Sequence, residues 1–464
     1  MMKNLLRLIL FMAVFVTTTS IAQKAKSRQP NIIIIYADDL GYGDLSSYGS
    51  EIPTPNIDRI GKEGIRFTQF YVSGPVCTPS RYSLLTGSYP QRSMHGLTQV
   101  IMPGSTSYLD NSETTIAEYL KSANYTTAII GKWHLGLKDK NSSPTDHGFD
   151  MFCGFKGGAI DYYYHAYAKQ SRDWYVDDKL TIEKGYSTDL LTKHAIAFID
   201  KVKNKSHPFF LYLPYNAPHY GKTDTDSTTE GHTIAVSEAK ASGPTVINSL
   251  QAPKQYVEKF SNIPNKYRQV YAAMVSNLDD NIGMLLNKLE KDGLLENTMI
   301  WFMSDNGGYS ETQQKHASNG VLRGEKASLY DGGIRVPAML LWKGKIKSNQ
   351  VISTPVCNAD LLPTICSILK IKKPASSLVV DGKDISTLIF KNKASSRDIY
   401  WRYNKQFAIR SGKWKLVNGI ELYDLEKDIS EKINLASKYP GVVRTLHQKF
   451  EAIDSDLKPV ENNK

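Results

Sequence analysis

Asn31-Ile32-Ile33-Ile34-Ile35-Tyr36 is an unbroken apolar run that stops abruptly at Ala37-Asp38-Asp39-Leu40-Gly41-Tyr42-Gly43. A β-branched run without polar alternation reads as a strand buried on both faces. The same design recurs downstream. Residues 126–130 run into Gly131-Lys132-Trp133-His134-Leu135-Gly136, and residues 209–213 into Pro214-Tyr215-Asn216-Ala217-Pro218-His219. Residues 299–303 run into Ser304-Asp305-Asn306-Gly307-Gly308, and a fifth apolar segment, 337–342, follows a Gly-rich loop. Between these lie helical patterns at 56–63, 115–123 and 267–289, the last carrying a stripe of Val270, Met274, Leu278, Ile282, Leu285 and Leu289. Alternating strands and helices predict an α/β fold, with a large, mostly parallel (mixed) sheet sandwiched by helices. Such sheets bind ligands outside the carboxyl ends of their strands. Asp38, Asp39, Lys132, His134, His219, Asp305 and Asn306 are therefore candidates for one shared rim.

The chain has 464 residues, enough for one large domain and a smaller one. With 41% hydrophobic and 22% charged residues it reads as globular, which excludes a disordered chain. A net charge of +11 suits polyanionic partners, although no Lys/Arg run concentrates it. Lys3 and Arg7, an apolar stretch at 8–16 and Ser20-Ile21-Ala22 read as a leader for export cleaved near Ala22, with a retained membrane anchor as the alternative. The cysteines Cys77, Cys153, Cys357 and Cys366 show no zinc spacing, and the last three read as small core residues. From residue 386 the pattern changes. Short alternating segments at 397–403, 407–410, 414–417 and 421–424 predict a small antiparallel sheet, followed by a helix at 440–457. The expected organisation is a leader at 1–22, an α/β catalytic domain at 23–380 and a C-terminal antiparallel-sheet α+β subdomain at 381–464.

The rim residues specify chemistry. Asp38 and Asp39 are adjacent carboxylates whose repulsion a divalent cation would relieve. Asp305 and Asn306 complete an all-oxygen donor set, which points to Ca²⁺, or Mg²⁺, rather than Zn²⁺. Lys132 and His134 alternate along an extended segment, which predicts that both face one side. His219 and Lys326 add further donors, and together these groups suit a tetrahedral oxyanion. Gly74-Pro75-Val76-Cys77-Thr78-Pro79-Ser80-Arg81 opens a helix, with Thr78 expected as its N-cap and Pro79 at its first position. Cys77 then lies at the positive end of the helix dipole. Read locally, it is equally a packing residue or a reactive thiol.

Cys77-Thr78-Pro79-Ser80-Arg81, continuing through Leu84-Leu85-Thr86-Gly87, resembles the signature of the type I (formylglycine-dependent) sulfatases of the alkaline phosphatase superfamily. Gly131-Lys132-Trp133-His134-Leu135-Gly136 resembles their second signature, and the likeness extends to Leu422-Tyr423-Asp424-Leu425. The resemblance implies an alkaline-phosphatase-like fold. It implies that a separate maturation enzyme oxidises Cys77 to formylglycine, whose hydrate supplies the nucleophile. It further implies that Asp38, Asp39, Asp305, Asn306 and the modified Cys77 bind Ca²⁺, and that Arg81 and Lys132 hold the diol. His134 would hydrogen-bond the diol and later take its second proton. Lys132, His219 and Lys326 would clamp the sulfate, with His219, or failing it Lys326, protonating the leaving oxygen.

The substrate is written less clearly. Gly157-Gly158-Ala159-Ile160-Asp161-Tyr162-Tyr163-Tyr164-His165 offers rings to stack on sugars, with Asp161 or His165 to bond hydroxyls, or else a half-buried hairpin. The polar insertion at 221–249 is open between a lid, a rim loop and a surface excursion. The expected substrate is a sulfated carbohydrate, a fragment of glycosaminoglycan or algal polysaccharide, met in the periplasm or outside the cell. The alternatives are a broad-specificity arylsulfatase, a phosphate or phosphonate ester hydrolase of the same superfamily, or a non-catalytic glycan-binding relative. Neither a nucleic-acid partner nor stable membrane insertion is expected.

Overall fold

Side chains of the Asn31–Ala37 strand alternate between two apolar cores. Ile32, Ile34 and Tyr36 join one cluster and Ile33, Ile35 and Ala37 the other, all fully buried. A strand with both faces covered has no polar side, which is why its sequence does not alternate. The computed structural model describes residues 29–137, 142–168, 171–224, 232–239, 246–310, 314–371 and 379–457. The expected leader lies outside these residues. No helix among the described residues is long and apolar enough to cross a membrane.

The strand sits near the middle of an eleven-stranded sheet. Thr298–Ser304, Asn31–Ala37, Phe209–Pro214, Thr126–Lys132 and Met151–Phe155 are consecutive neighbours and all parallel. Arg335–Leu341 runs antiparallel beside Thr298–Ser304 and pairs in turn with Ile65–Tyr71. The sheet is therefore mixed, with a parallel centre, as expected. Pro55–Lys62, Ser187–Val202 and Lys266–Lys291 pack on one face. Cys77–Thr86, Ile116–Ser122 and Leu361–Leu369 pack on the other.

The described residues of the insertion after His219 fold as β-structure. Gly221–Thr223, Val246–Ala252 and His232–Ala239 form a small antiparallel sheet with Val246–Ala252 in the centre. The C-terminal pattern is reproduced as Asp398–Tyr403, Gln406–Ser411, Trp414–Val417, Glu421–Asp424 and the helix Pro440–Leu457. One face of that sheet packs on the helix through Tyr400, Ile409, Leu446 and Phe450. The other face sends Ile399, Trp401, Ala408 and Val417 into the main core. All four cysteines are free thiols.

Candidate active site

The parallel centre brings the strand ends to one level. Ala37 lies beside Ser304 and Tyr36 beside Pro214, so Asp38 and Asp305 emerge together. Asp39 turns sharply, with φ at 60°, a left-handed conformation uncommon outside glycine and enriched at constrained sites. Its N–H donates to Asp305 Oδ1 at 3.1 Å. Behind it, the Tyr271 hydroxyl donates to Asp44 Oδ2 at 2.7 Å and Arg268 pairs with the same carboxylate, tying this loop to the Lys266–Lys291 helix.

The helix carrying Cys77 begins at Cys77 itself, with extended Val76 as its N-cap, and every residue through Thr86 is buried. Thr78 is thus inside the first turn rather than capping it. Its hydroxyl is engaged elsewhere, donating to His134 O and accepting from Ile101 N–H, each at 3.2 Å. Pro79 fits because N–H groups of the first turn have no helical partner. From below, the Tyr36 hydroxyl meets Ser80 Oγ at 2.7 Å, and Asn358 Nδ2 donates to Ser80 O at 2.9 Å.

Charges interlock around Cys77. Arg81 donates to Asp305 Oδ2 from Nη2 at 2.7 Å and from Nε at 3.2 Å, and to Lys132 O at 3.0 Å. Lys132 Nζ donates to Asp38 Oδ2 at 2.7 Å, and Lys326 Nζ to Asp39 Oδ2 at 2.7 Å. Asn306 Nδ2 donates to Asp39 Oδ1 at 2.7 Å. His219 Nδ1 donates to Tyr220 O at 2.7 Å, leaving Nε2 3.4 Å from Asp39 Oδ2. His134 breaks the expected extended alternation, because its φ is 56°. Its Nε2 donates to Ile101 O at 2.8 Å, while the buried Nδ1 has no hydrogen-bond partner among the described residues. That arrangement fixes the tautomer with the lone pair on Nδ1.

Burial, reinforced by Lys132, holds His134 well below the usual histidine range. Burial also lowers His219, against the opposing pull of Asp39. Both rings are therefore neutral near pH 7 in the resting site. Burial pushes Asp305 up to about 6, with Asp38 adding and Arg81 opposing. Burial likewise raises the Cys77 thiol, although Lys132 and Lys326 oppose it, so the unmodified residue is a poor thiolate.

Two oxygens in this cluster, Asp38 Oδ1 and Asn306 Oδ1, are buried without any hydrogen-bond partner among the described residues. Orphaned buried acceptors are costly, and an ion is one of the few things that explain them. Ligand atoms of Asp38, Asp39, Cys77 and His219 lie within 4.8 Å of one another. Those two carboxylates, with Asp305 and Asn306 bonded to Asp39 beside them, make an oxygen-rich set that fits a hard divalent cation.

A cavity of about 520 Å³ opens on this cluster, and Cys77, His134, His219 and Lys326 are among its lining residues. Asp161 and His165 are not, which corrects their expected role. Asp161 Oδ1 accepts from the N–H groups of Tyr163 and Tyr164, each at 2.8 Å, and Oδ2 from Gln251 at 3.1 Å. His165 stacks on Trp174 at 4.3 Å and donates from Nε2 to Gly185 O at 3.1 Å. Both shape the loop from inside. Sequence reasoning missed Lys156, Tyr175 and Lys222 on the cavity wall. Lys156 was within reach: it immediately follows Met151–Phe155, so the strand-end rule that found Asp38 applies to it. A second, more open cavity of about 640 Å³ lies by Glu51 and Arg268, away from Cys77. The Arg268 charge there is already paired with Glu51 and Asp44.

Residues 30–371 match the family model described as Sulfatase, and residues 324–456 match one described as N-sulphoglucosamine sulphohydrolase, C-terminal. The chain is 29% identical to N-acetylgalactosamine-6-O-sulfatase of Bacteroides thetaiotaomicron, over 97% of this chain and 99% of that protein. It is 32% identical to N-acetylgalactosamine-6-sulfatase of Rattus norvegicus, over 83% of this chain and 71% of that one. Among solved structures, Ps i-CgsB in complex with k-i-k-neocarrahexaose superposes with a TM-score of 0.81 at 33% identity. That match covers 93% of this chain and 94% of the other.

Proposed function

The chain belongs to the sulfatase family and is a sulfate ester hydrolase, and from that premise we propose that it desulfates carbohydrates using a formylglycine made from Cys77 and a divalent cation held by Asp38, Asp39, Asp305 and Asn306. The observation that carries the reading is the pair of orphaned oxygens, Asp38 Oδ1 and Asn306 Oδ1, beside Cys77 at a cationic cavity. The carbohydrate part is supported by the relatives, one named for N-acetylgalactosamine 6-O-sulfate and one solved with a neocarrahexaose.

When present, the hydrated formylglycine supplies a nucleophilic hydroxyl and the cation, Ca²⁺ or Mg²⁺, a Lewis acid. The chain's own residues do the rest. Arg81 and Lys132 neutralise the carboxylates around the nucleophile and hold position 77 in place. Lys132, Lys326 and His219 meet the sulfuryl oxygens, where negative charge builds as the ester bond breaks. His134, whose Nδ1 lone pair is unengaged among the described residues, accepts the proton that must leave the second hydroxyl. His219 rests neutral, and an incoming sulfate anion raises its affinity for a proton, which it then delivers to the leaving oxygen.

Export through the 1–22 leader and oxidation by a maturation enzyme belong to the same proposal. Peptide mass spectrometry over residues 71–81 reads the change from –CH₂SH to –CHO. Sulfate release from defined sulfated sugars by the matured protein, and its loss in Cys77→Ala, are the expected results. Faster turnover of an aryl phosphate than of any sulfate, or full activity with an unmodified thiol, would overturn the proposal.

A further inference from the structure

The cavity wall carries cations that the sulfate-cleaving cluster does not use. Lys156 and Lys222 both line it, and each is only 8% exposed. Lys222 Nζ donates to Asn248 Oδ1 at 2.6 Å and lies 5.1 Å from the Tyr220 ring centroid. Lys156 is the less satisfied of the two. Its ammonium sits 4.8 Å over the Tyr175 ring, and among the described residues it makes no hydrogen bond or ion pair. Asp173 interacts with it electrostatically but forms no salt bridge with it. Asp173 Oδ1 accepts from Lys156 N–H at 2.8 Å and Oδ2 from Gly157 N–H at 2.6 Å, so both oxygens are spent on backbone.

A buried ammonium held against a ring, with no salt bridge or hydrogen bond among the described residues, gains when an anion arrives. The cleaved sulfate cannot be that anion while Lys132, Lys326 and His219 hold it. We propose that Lys156, with Lys222 beside it on the wall, binds a second anionic group on the same substrate. The preferred substrate is then polyanionic, and Lys156 is a specificity residue rather than a catalytic one. The inference rests on the sulfated-carbohydrate reading above and narrows it. The second anion is a further sulfate on the same sugar or the carboxylate of a neighbouring uronate, since a single ammonium accepts either.

Binding, read by calorimetry on protein whose Cys77 is unmodified, tests this without turnover. One probe pair is N-acetylgalactosamine 4,6-disulfate against N-acetylgalactosamine 6-sulfate, and another is glucosamine 2-N,6-O-disulfate against glucosamine 6-sulfate. A third arm, glucuronosyl-N-acetylgalactosamine 6-sulfate, reports on the carboxylate. The wild-type chain should favour a doubly anionic probe over its singly charged counterpart by about tenfold or more, as expected for a desolvated charge pair. Lys156→Met should erase that preference, while Lys156→Arg keeps it. No preference in any arm of the wild type, or a preference that survives in Lys156→Met, would overturn the inference. Failure of the sulfatase reading looks different: the preference stands, but matured protein releases sulfate from none of the probes.

Discussion

Lys132 and Asp38 are both fully buried and their charged atoms are 2.7 Å apart. Removing one partner of such a pair strands the other without solvent. Among the described residues, Lys132→Met leaves Asp38 the Arg81 Nη2, 3.7 Å away, as its remaining ion-pair partner, and should cost about 3–5 kcal/mol of stability in chelator. A cation on Asp38 replaces part of the lost charge and stabilises the folded chain by mass action. Calcium should therefore raise the Tm of the variant more than that of the wild type, and an equal rise in both would argue that Asp38 is not a ligand. His165 gives a prediction outside the site. Burial, opposed by its bond to Gly185 O, holds it down to about 4. The folded state thus prefers the neutral ring, while the unfolded ring protonates near 6.5. Its contribution is fully present above pH 6.5 and is lost as pH falls toward 4, amounting to about 3 kcal/mol. Denaturation midpoints measured from pH 7 to 4 should fall less steeply in His165→Phe, which keeps the stack on Trp174; identical slopes would exclude this titration.

Strand ends and their loops are where function was most legible. The rule that parallel strands deliver ligands at their carboxyl ends found Asp38, Lys132, His219 and Asp305 before any contact was known, because it depends only on topology. Thr78, expected as an N-cap, and Asp161 and His165, expected at sugar hydroxyls, rested on local pattern instead, and their polar groups are taken up by backbone and side-chain partners that no linear pattern reveals. The strand-end rule overlooked Lys156 because Gly154 interrupts the apolar run Met151-Phe152-Cys153-Gly154-Phe155 and weakens its strand pattern. The Ile65–Tyr71 strand was hidden for a similar reason, since Arg66, Thr68 and Gln69 interrupt its apolar pattern. The loop after Lys156 also carries a constraint that only packing exposes. A Cβ on Gly158 would lie 2.7 Å from His134 Nε2 and 2.8 Å from Cε1. Gly158→Ala must therefore push the imidazole away from Ile101 O and misdirect Nδ1. A displacement of this size should lower kcat about 10²-fold with a Tm close to wild type. Unchanged kcat would mean that His134 has no part in the chemistry.

At the scale of the whole molecule, the C-terminal sheet is tied to the catalytic sheet by charge as well as by apolar packing. The Trp401 indole lies 5.3 Å from the Tyr71 ring and donates to Val72 O at 2.7 Å. Lys415, fully buried, bridges Asp331 at 2.7 Å and Glu431 at 2.8 Å. Asp331 begins the turn Asp331–Ile334, and Gly333 O in that turn accepts from Gly307 N–H at 3.0 Å, one residue past Asn306. Lys415 thus props the loop that supplies the proposed ligands. Two modules joined by a shared core and a buried charge bridge cannot separate without exposing both, so the chain should unfold in one calorimetric transition despite the change of pattern near residue 386. Truncation after residue 380 should leave Tyr71 and Val72 uncovered and take Lys415 from Asp331, which keeps Arg335, and yield no cooperative transition. Lys415→Met takes the shared cation from Glu431 and leaves Asp331 with Arg335, and should lower stability by about 3–5 kcal/mol, weakening calcium binding with it because Asn306 loses its support. Two resolved transitions in the intact chain, or a folded 1–380 fragment, would mean that the C-terminal sheet is an independent domain and that the site stands without it.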